Sequence, residues 1–468
     1  MAPPKDHDCA WQEYAKDLEG KLEAVQQRLA QLEKHVIGPQ TEKRRSRKMP
    51  PPAAPVPTAN ARSATETLRE ATLETEVTPV AVPKAKRTCP ACDNTALRTV
   101  GEGTPSTVYE YVTAHFRRRI FLRETLACSC GQYVVTAPAP ERVGDKTQYS
   151  ASFVAHLVVT KCADCRAQYN VAKEYKRIGI PIARSTINAL FHRAGELVAP
   201  LVDRLFARIA ASNLVLADET SMRMQRVEKK AFIWAFLGGS LIGYRFSCDR
   251  SGDTPKSVLG DSVGTLVCDA YTGYNQLTST GRRRRAACLA HARRKIFDGK
   301  EHPEASEALD LIGEIYGVER DAKEAGVVGT QRHADMRKAR SRSPFAKLLW
   351  WARRQRRVHP PKSLLGRAAR YIVNNFRELG VFVRDVRVPP DNNRSEAALR
   401  RVALGRRVLL FVGNEDAGKR LAGLYSLVAS CELNGVNPVA YLTDVLTRID
   451  RRGETRIDDL LPDAWRPP

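Results

Sequence analysis

Long apolar runs are scarce in this chain of 468 residues. The longest, Ala231 to Tyr244, covers 14 residues with Gly238-Gly239 in its middle. That is too short for a bilayer-spanning helix, and the paired glycines suit a hairpin. A basic-then-apolar leader is missing from the N-terminus, so the protein is expected in the cytoplasm. Acidic residues are outnumbered, 52 against 76 Lys and Arg, for a formal net charge of +24. Such an excess favours a polyanionic partner, nucleic acid first and an anionic membrane surface second. Cysteines number 11, an odd count in a long chain without an export signal, which argues against a disulfide scaffold. There is no repeat of solenoid length. The stretch GNEDAGKR (Gly413 to Arg420) is not a phosphate-binding loop, because its spacing is wrong and Arg420 follows the lysine.

What is present reads as several folded units joined by a linker. Apolar residues at 43% and charged residues at 27% are near the average for folded soluble proteins. Within residues 1–38, Trp11, Ala15, Leu18, Leu22, Val25, Leu29, Leu32 and Val36 alternate at steps of four and three. That seam predicts a coiled-coil helix that pairs subunits, or an amphipathic helix lying on its own protein. Residues 39–88 hold a proline-rich stretch and a basic run, Lys43 to Lys48, and read as an extended linker. Close thiol pairs follow at Cys89/Cys92, Cys128/Cys130 and Cys162/Cys165. In a reducing compartment such pairs more often hold zinc than oxidise. The segment 89–140 is therefore expected to be a small zinc-binding module. Residues 141–210 read as helical. Tyr169 to Glu196 gives helix, turn at Gly179, helix, a pattern that fits a DNA-reading helix-turn-helix and equally any helical hairpin.

Residues 211–298 change character. Asn213 to Ala217 and Gly264 to Cys268 are buried-strand runs, and Ala231–Leu237 with Leu241–Ser247 form the hairpin. Residues 299–388 are mostly helical, residues 389–450 are helices around the apolar run Val408 to Val412, and 451–468 form a tail. Asp218 and Asp269 are expected at strand ends, and Glu396 on a helix. Three carboxylates brought together repel one another unless a hard divalent cation neutralises them. A pair of Mg²⁺ ions there could activate a nucleophile and stabilise the leaving oxygen of a phosphodiester. Each acid also has an ordinary reading: turn residues for the aspartates, a capping box with Asn393 for Glu396.

Four stretches make a family resemblance specific: LADET (Leu216 to Thr220), DAYTGY (Asp269 to Tyr274), CLAHARRKIFD (Cys288 to Asp298), and the long segment Asp391 to Ile449. In this order they resemble the insertion-sequence sixty-six family of bacterial DDE transposases. HVIGPQTEKRR (His35 to Arg45) resembles the segment after that family's coiled coil. Cys89 to Pro140 resembles its zinc-binding domain, and Tyr169 to Ile187 its helix-turn-helix. The resemblance implies an α/β, ribonuclease-H-like catalytic core with a helical insertion before the final glutamate. It implies Asp218, Asp269 and Glu396 as the acidic triad holding two Mg²⁺, and Cys89, Cys92, Cys128 and Cys130 as structural zinc ligands. It implies DNA contacts from Arg184, Ser185 and Thr186, from Arg293, Arg294 and Lys295, and from Arg406 and Arg407. The partners implied are double-stranded DNA (terminal inverted repeats and target), a second copy of the chain, and helper proteins from the same element. The bound protein is expected at the nucleoid.

The sequence departs from the family in its second thiol pair, at Arg407 and Leu409, and in an extra pair, Cys162/Cys165, that could replace or supplement a ligand pair. The second thiol pair is Cys128-Ser129-Cys130, one residue shorter than usual. Arg407 stands where a lysine is usual, and Leu409 where an aromatic is. The pair Cys288 and His291 supplies only two metal ligands, so a structural or DNA-positioning role is expected for it. Two rival readings stay open at this stage: an inactive DNA-binding protein derived from a transposase, and a structure-specific nuclease.

Overall fold

A computed structural model describes residues 125–127, 134–136, 143, 149–225, 230–449 and 454–467. The expected coiled coil, the linker and the four zinc-ligand cysteines lie outside the described residues. The short strands β1 (Thr125–Ala127) and β2 (Val134–Thr136) pair antiparallel.

Four helices precede the main sheet: α1 (Ala151–Cys162), α2 (Gln168–Arg177), α3 (Arg184–Leu197) and α4 (Ala199–Ala210). Ser150 caps α1 by accepting from the Phe153 N–H. Gly179, at φ +82°, makes the turn between α2 and α3 in a region that glycine enters without a Cβ penalty. The helices expected on either side of Gly179 are thus α2 and α3, and Arg184, at the first position of α3, is exposed.

The main sheet has five strands: β3 (Leu214–Met222), β4 (Ala231–Gly238), β5 (Leu241–Ser247), β6 (Gly264–Cys268) and β7 (Arg283–Ala287). Their order is β5-β4-β3-β6-β7. The first three run antiparallel to one another, while β3, β6 and β7 are parallel. β4 is nearly continuous apolar sequence and is buried almost throughout, as a central strand covered on both faces should be. The hairpin turns at Gly239, φ +58°. This mixed α/β sheet fits a ribonuclease-H-like core. β7 has no apolar-run signature. It begins at Arg283, which is 1% exposed and donates to the Ala210 and Ser212 carbonyls and to Ser262 Oγ, so a buried guanidinium ties the sheet edge to the end of α4.

After β5 comes α5 (Asp253–Leu259), and after β7 comes α6 (Leu289–Phe297). The helical insertion follows: α7 (Glu304–Glu324), α8 (Gln331–Met336), a π-helical turn at Arg337–Ser341, α9 (Arg342–Val358) and α10 (Leu364–Asn374). Its interior holds Ile312, Ile315, Leu348 and Trp351. The buried Arg337 binds Glu319 through Nε and Nη2, at 2.7 Å each, and donates through Nη1 to the carbonyls of Phe382 and Val388.

The chain then returns to the sheet with α11 (Asn393–Leu409), α12 (Glu415–Leu433) and α13 (Pro438–Arg448). The run Val408 to Val412 is divided between elements. Its first two residues end α11, Leu410 takes φ +62°, and Val412 bridges to Met224. α12 covers β5, where Ser426 and Ser430 accept the backbone N–H groups of Tyr244 and Ile242. Those hydroxyls satisfy donors that an edge strand would otherwise expose. The C-terminal residues read as a tail are docked: Leu460, Leu461 and Trp465 are buried, and Asp458 and Asp463 pair with Arg204 and Arg208 of α4.

Candidate active site

β3 and β6 pair in parallel through Leu214–Thr265, Val215–Leu266 and Leu216–Val267. The offset in that ladder is the offset from Asp218 to Asp269, so the two aspartates occupy matching positions just beyond the last paired residues. Paired strands lie about 4.8 Å apart, so the ladder holds the two chains at that spacing until two residues before each aspartate. Asp269 immediately follows β6, as expected. Asp218 does not end its strand: antiparallel pairing with β4 carries β3 on to Met222. What ends near Asp218 is the parallel pairing, and there the strands part and a cleft opens.

Glu396 lies in the first turn of α11, which packs on β3 and β4. The capping-box alternative fails, because Asn392 and not Asn393 is the N-cap residue. Asn392 is fully buried and joins three elements. Its backbone N–H donates to Cys288 Sγ at 3.2 Å, its Nδ2 donates to the Ala217 carbonyl at 2.8 Å, and its own carbonyl accepts from the Glu396 N–H. The start of α11 is thereby fixed against the residue preceding Asp218 and against the head of α6. Nothing in the sequence singled out Asn392; a buried amide is recognisable only when its partners are known.

Asp218 and Glu396 line one cleft of about 260 Å³, with Glu219, Thr220, His291, Arg294 and Arg400 among its other walls. Burial, then the adjacent Glu219 charge, pushes the Asp218 carboxyl up to about 7. Asp269 and Glu396 add to the rise, and the Glu219 N–H donating to Asp218 Oδ1 opposes it. Burial raises Glu219 as well, against hydrogen bonds from Tyr274 (2.7 Å) and Arg250 (2.8 Å) that favour its charged form. Glu219 is thus already held by protein partners, whereas among the described residues no cation pairs with Asp218. Asp269 accepts from the Tyr271 N–H at 2.9 Å.

The three acids do not bring their oxygens within 4.8 Å of one another. A two-ion site, with ions about 3.5–4 Å apart, spreads its ligands more widely than a single ion does. The donor set fits such a site: the ligands are all carboxylates, which suit hard divalent cations, and Glu396 Oε1 is buried without a hydrogen-bond partner. Among the described residues, the one tight group of metal-ligating side chains is Cys288, His291 and Glu396. Cys288 is the N-cap of α6, and His291 stands three residues on, above it. Burial lowers the His291 imidazole from its ordinary range, against the Glu396 charge that raises it, and its Nδ1 faces Glu396 Oε1 at 3.8 Å.

The other expected site residues are distributed around this cleft. Arg294 is exposed and approaches Glu396 at 3.4 Å, while Arg293 and Lys295 are half-buried on α6. Arg406 turns inward and donates to Thr220 Oγ1 (3.0 Å) and the Ser221 carbonyl (2.9 Å), whereas Arg407 is exposed. On α3, Arg184 and Ser185 are exposed and Thr186 is half-buried. Cys162 and Cys165 are free thiols; Cys162 is buried, and Cys165 Sγ points to the Arg401 carbonyl.

A five-stranded sheet of this order, with aspartates on adjacent strands and a glutamate on a helix crossing them, fits the ribonuclease-H-like class. Residues 146–420 match the Transposase IS66 family, and residues 426–462 match the IS66 C-terminal element; the chain belongs to that family. It is similar to the uncharacterized protein y4jD of Sinorhizobium fredii, 32% identical over 413 residues that cover 83% of this chain and 80% of that protein. It is also similar to the uncharacterized protein y4hP of the same organism, 27% identical over 409 residues, covering 81% of this chain and 73% of that protein. No described helix is long and apolar enough to cross a membrane.

Proposed function

We propose that this protein cuts the ends of its mobile element and joins the freed 3′-hydroxyl to target DNA, with Asp218, Asp269 and Glu396 holding two divalent cations. The observation that carries the reading is the strand register. It gives Asp218 and Asp269, far apart in the chain, matching positions along adjacent parallel strands, and Asp218 lines a cleft with Glu396. When bound, Mg²⁺ ions would polarise the phosphodiester and activate the attacking oxygen. The chain's own groups do the rest. Glu219 stays with Arg250 and Tyr274 and keeps the β3–β6 edge rigid. Arg406 holds the Thr220–Ser221 backbone against α11. Arg294 and Arg400 bring positive charge to the rim of the cleft, where a phosphate backbone would enter.

In the same reading, the start of α3, with Arg184, Ser185 and Thr186, enters a groove of the terminal repeat, and Arg293, Lys295 and Arg407 contact phosphates. The N-terminal heptads pair two copies, so that two DNA ends are handled together. Cys89, Cys92, Cys128 and Cys130 hold zinc, and helper proteins from the element assist. The test is incubation of the purified protein with Mg²⁺ and supercoiled DNA carrying the element's ends. Joined products with a 3′-end linked to target support the reading. Nicking of branched DNA without joining would favour a nuclease, and binding without metal-dependent breakage a regulator.

A further inference from the structure

We propose that Cys288, His291 and Glu396 form a binding site for a borderline divalent cation of the Zn²⁺ class, adjoining the acidic site and sharing Glu396 with it. The sulfur, a ring nitrogen and a carboxylate oxygen already lie within 4.8 Å of one another. His291 Nδ1 and Glu396 Oε1 are 3.8 Å apart, both buried, and neither has a hydrogen-bond partner. A tetrahedron with metal–nitrogen and metal–oxygen bonds of about 2.1 Å has edges of about 3.4 Å, so a contraction of a few tenths of an ångström closes this pair on an ion. An imidazole paired with a carboxylate by hydrogen bonding alone would stand nearer 2.8 Å.

The local fold explains the convergence. Cys288 caps α6, which brings its side chain over the residue three positions on, His291. The Asn392 N–H donates to Cys288 Sγ and so seats the start of α11, with Glu396, beside that pair. Arg294 occupies the second Glu396 oxygen at 3.4 Å, leaving Oε1 to face the histidine. Such outer contacts orient ligands toward a metal. A sulfur–nitrogen–oxygen set selects Zn²⁺-like ions, whereas Mg²⁺ prefers oxygen alone. Glu396 Oε1 cannot serve both sites at once, so occupation here withdraws an acid from the triad and inhibits Mg²⁺-dependent cleavage. Only this inhibition rests on the proposed transposase chemistry; the binding stands apart from it.

The probe is Co²⁺, titrated into the full chain under reducing conditions, with bound equivalents counted by equilibrium dialysis and sulfur ligation read from the thiolate-to-cobalt absorption. Wild type should bind one tight equivalent more than Cys288→Ala, His291→Ala or Glu396→Gln, and the cysteine variant should lose only the increment of thiolate absorption that accompanies that last equivalent, the four-cysteine site keeping its own. Asp218→Asn should keep that equivalent, and millimolar Mg²⁺ should not displace it. If Cys288→Ala does not fold, the half-exposed His291→Ala decides. Equal cobalt stoichiometry in wild type and His291→Ala overturns the proposal, as does displacement by Mg²⁺. Cobalt binding by a protein that never cleaves DNA would uphold this site while removing the catalytic reading.

Discussion

Asn392 donates through Nδ2 to the carbonyl of Ala217 at 2.8 Å, joining two residues 175 positions apart in the chain. Ala217 precedes Asp218, and Asn392 opens the helix that carries Glu396, so this single bond couples the first and last acids of the site. Replacing Asn392 with Ala leaves the buried Ala217 carbonyl without its donor, at a cost of about 1–3 kcal/mol. Urea denaturation should show a lower midpoint with an unchanged slope. A loss below about 0.5 kcal/mol would mean that the bond does not hold the helix to the strand.

Arg406 and Arg407 are neighbours in sequence with different surroundings. Arg406 is spent on Thr220 and Ser221, whereas Arg407 is exposed. Arg406→Ala should lower cleavage by about 10²-fold through misplacement of β3, with little change in DNA affinity. Arg407→Ala should weaken DNA binding evenly across sequences and reduce its salt slope by about 1. Binding isotherms at several salt concentrations, beside single-turnover cleavage, separate the two. Identical behaviour of both variants would contradict the assignment.

The helical insertion depends on a buried ion pair. Arg337 is 2% exposed and meets Glu319 in a bidentate contact. Arg337→Met removes the bidentate partner of Glu319, leaving it only His333 at 3.4 Å, and should cost about 2–4 kcal/mol. Adding Glu319→Gln should recover part of it, and a double-mutant cycle from denaturation curves measures the coupling. Strict additivity would show that the pair is not energetically linked.

Thiol reactivity should follow burial. Burial pushes the Cys162 and Cys268 thiols up to about 12, and neither is accessible. Cys165 and Cys248 are also raised by burial but are partly exposed. Since the thiolate is the nucleophile, brief alkylation of the native protein followed by peptide mapping should label Cys165 and Cys248 before the other described cysteines. Early labelling of Cys162 would contradict the packing of α1.

The sequence carried much of this fold in its apolar patterning. The hairpin around Gly238-Gly239 and the strand Gly264–Cys268 were legible because buried strands write continuous apolar runs. β7 was not, because Arg283–Ala287 is an arginine-rich strand whose first guanidinium is buried on carbonyls that only the tertiary fold supplies. The continuation of β3 past Asp218 was hidden for a similar reason. Glu219 and Ser221 are polar, and they remain strand because β4 pairs with them. At the site, the aspartates could be picked out beside the apolar strands and by family resemblance. Glu219's partners, Asn392, and Glu396 as the third ligand beside Cys288 and His291 could not, since each depends on contacts between distant segments.

The most direct test of the account compares wild type with Asp218→Ala, Asp269→Ala and Glu396→Ala on end-bearing DNA in Mg²⁺, with DNA binding measured in parallel. A metal site supplies several kcal/mol to such a transition state, so each variant should lose about 10³-fold or more in cleavage and joining while still binding DNA. Cleavage persisting at wild-type rate in any one of the three would contradict a shared acidic centre.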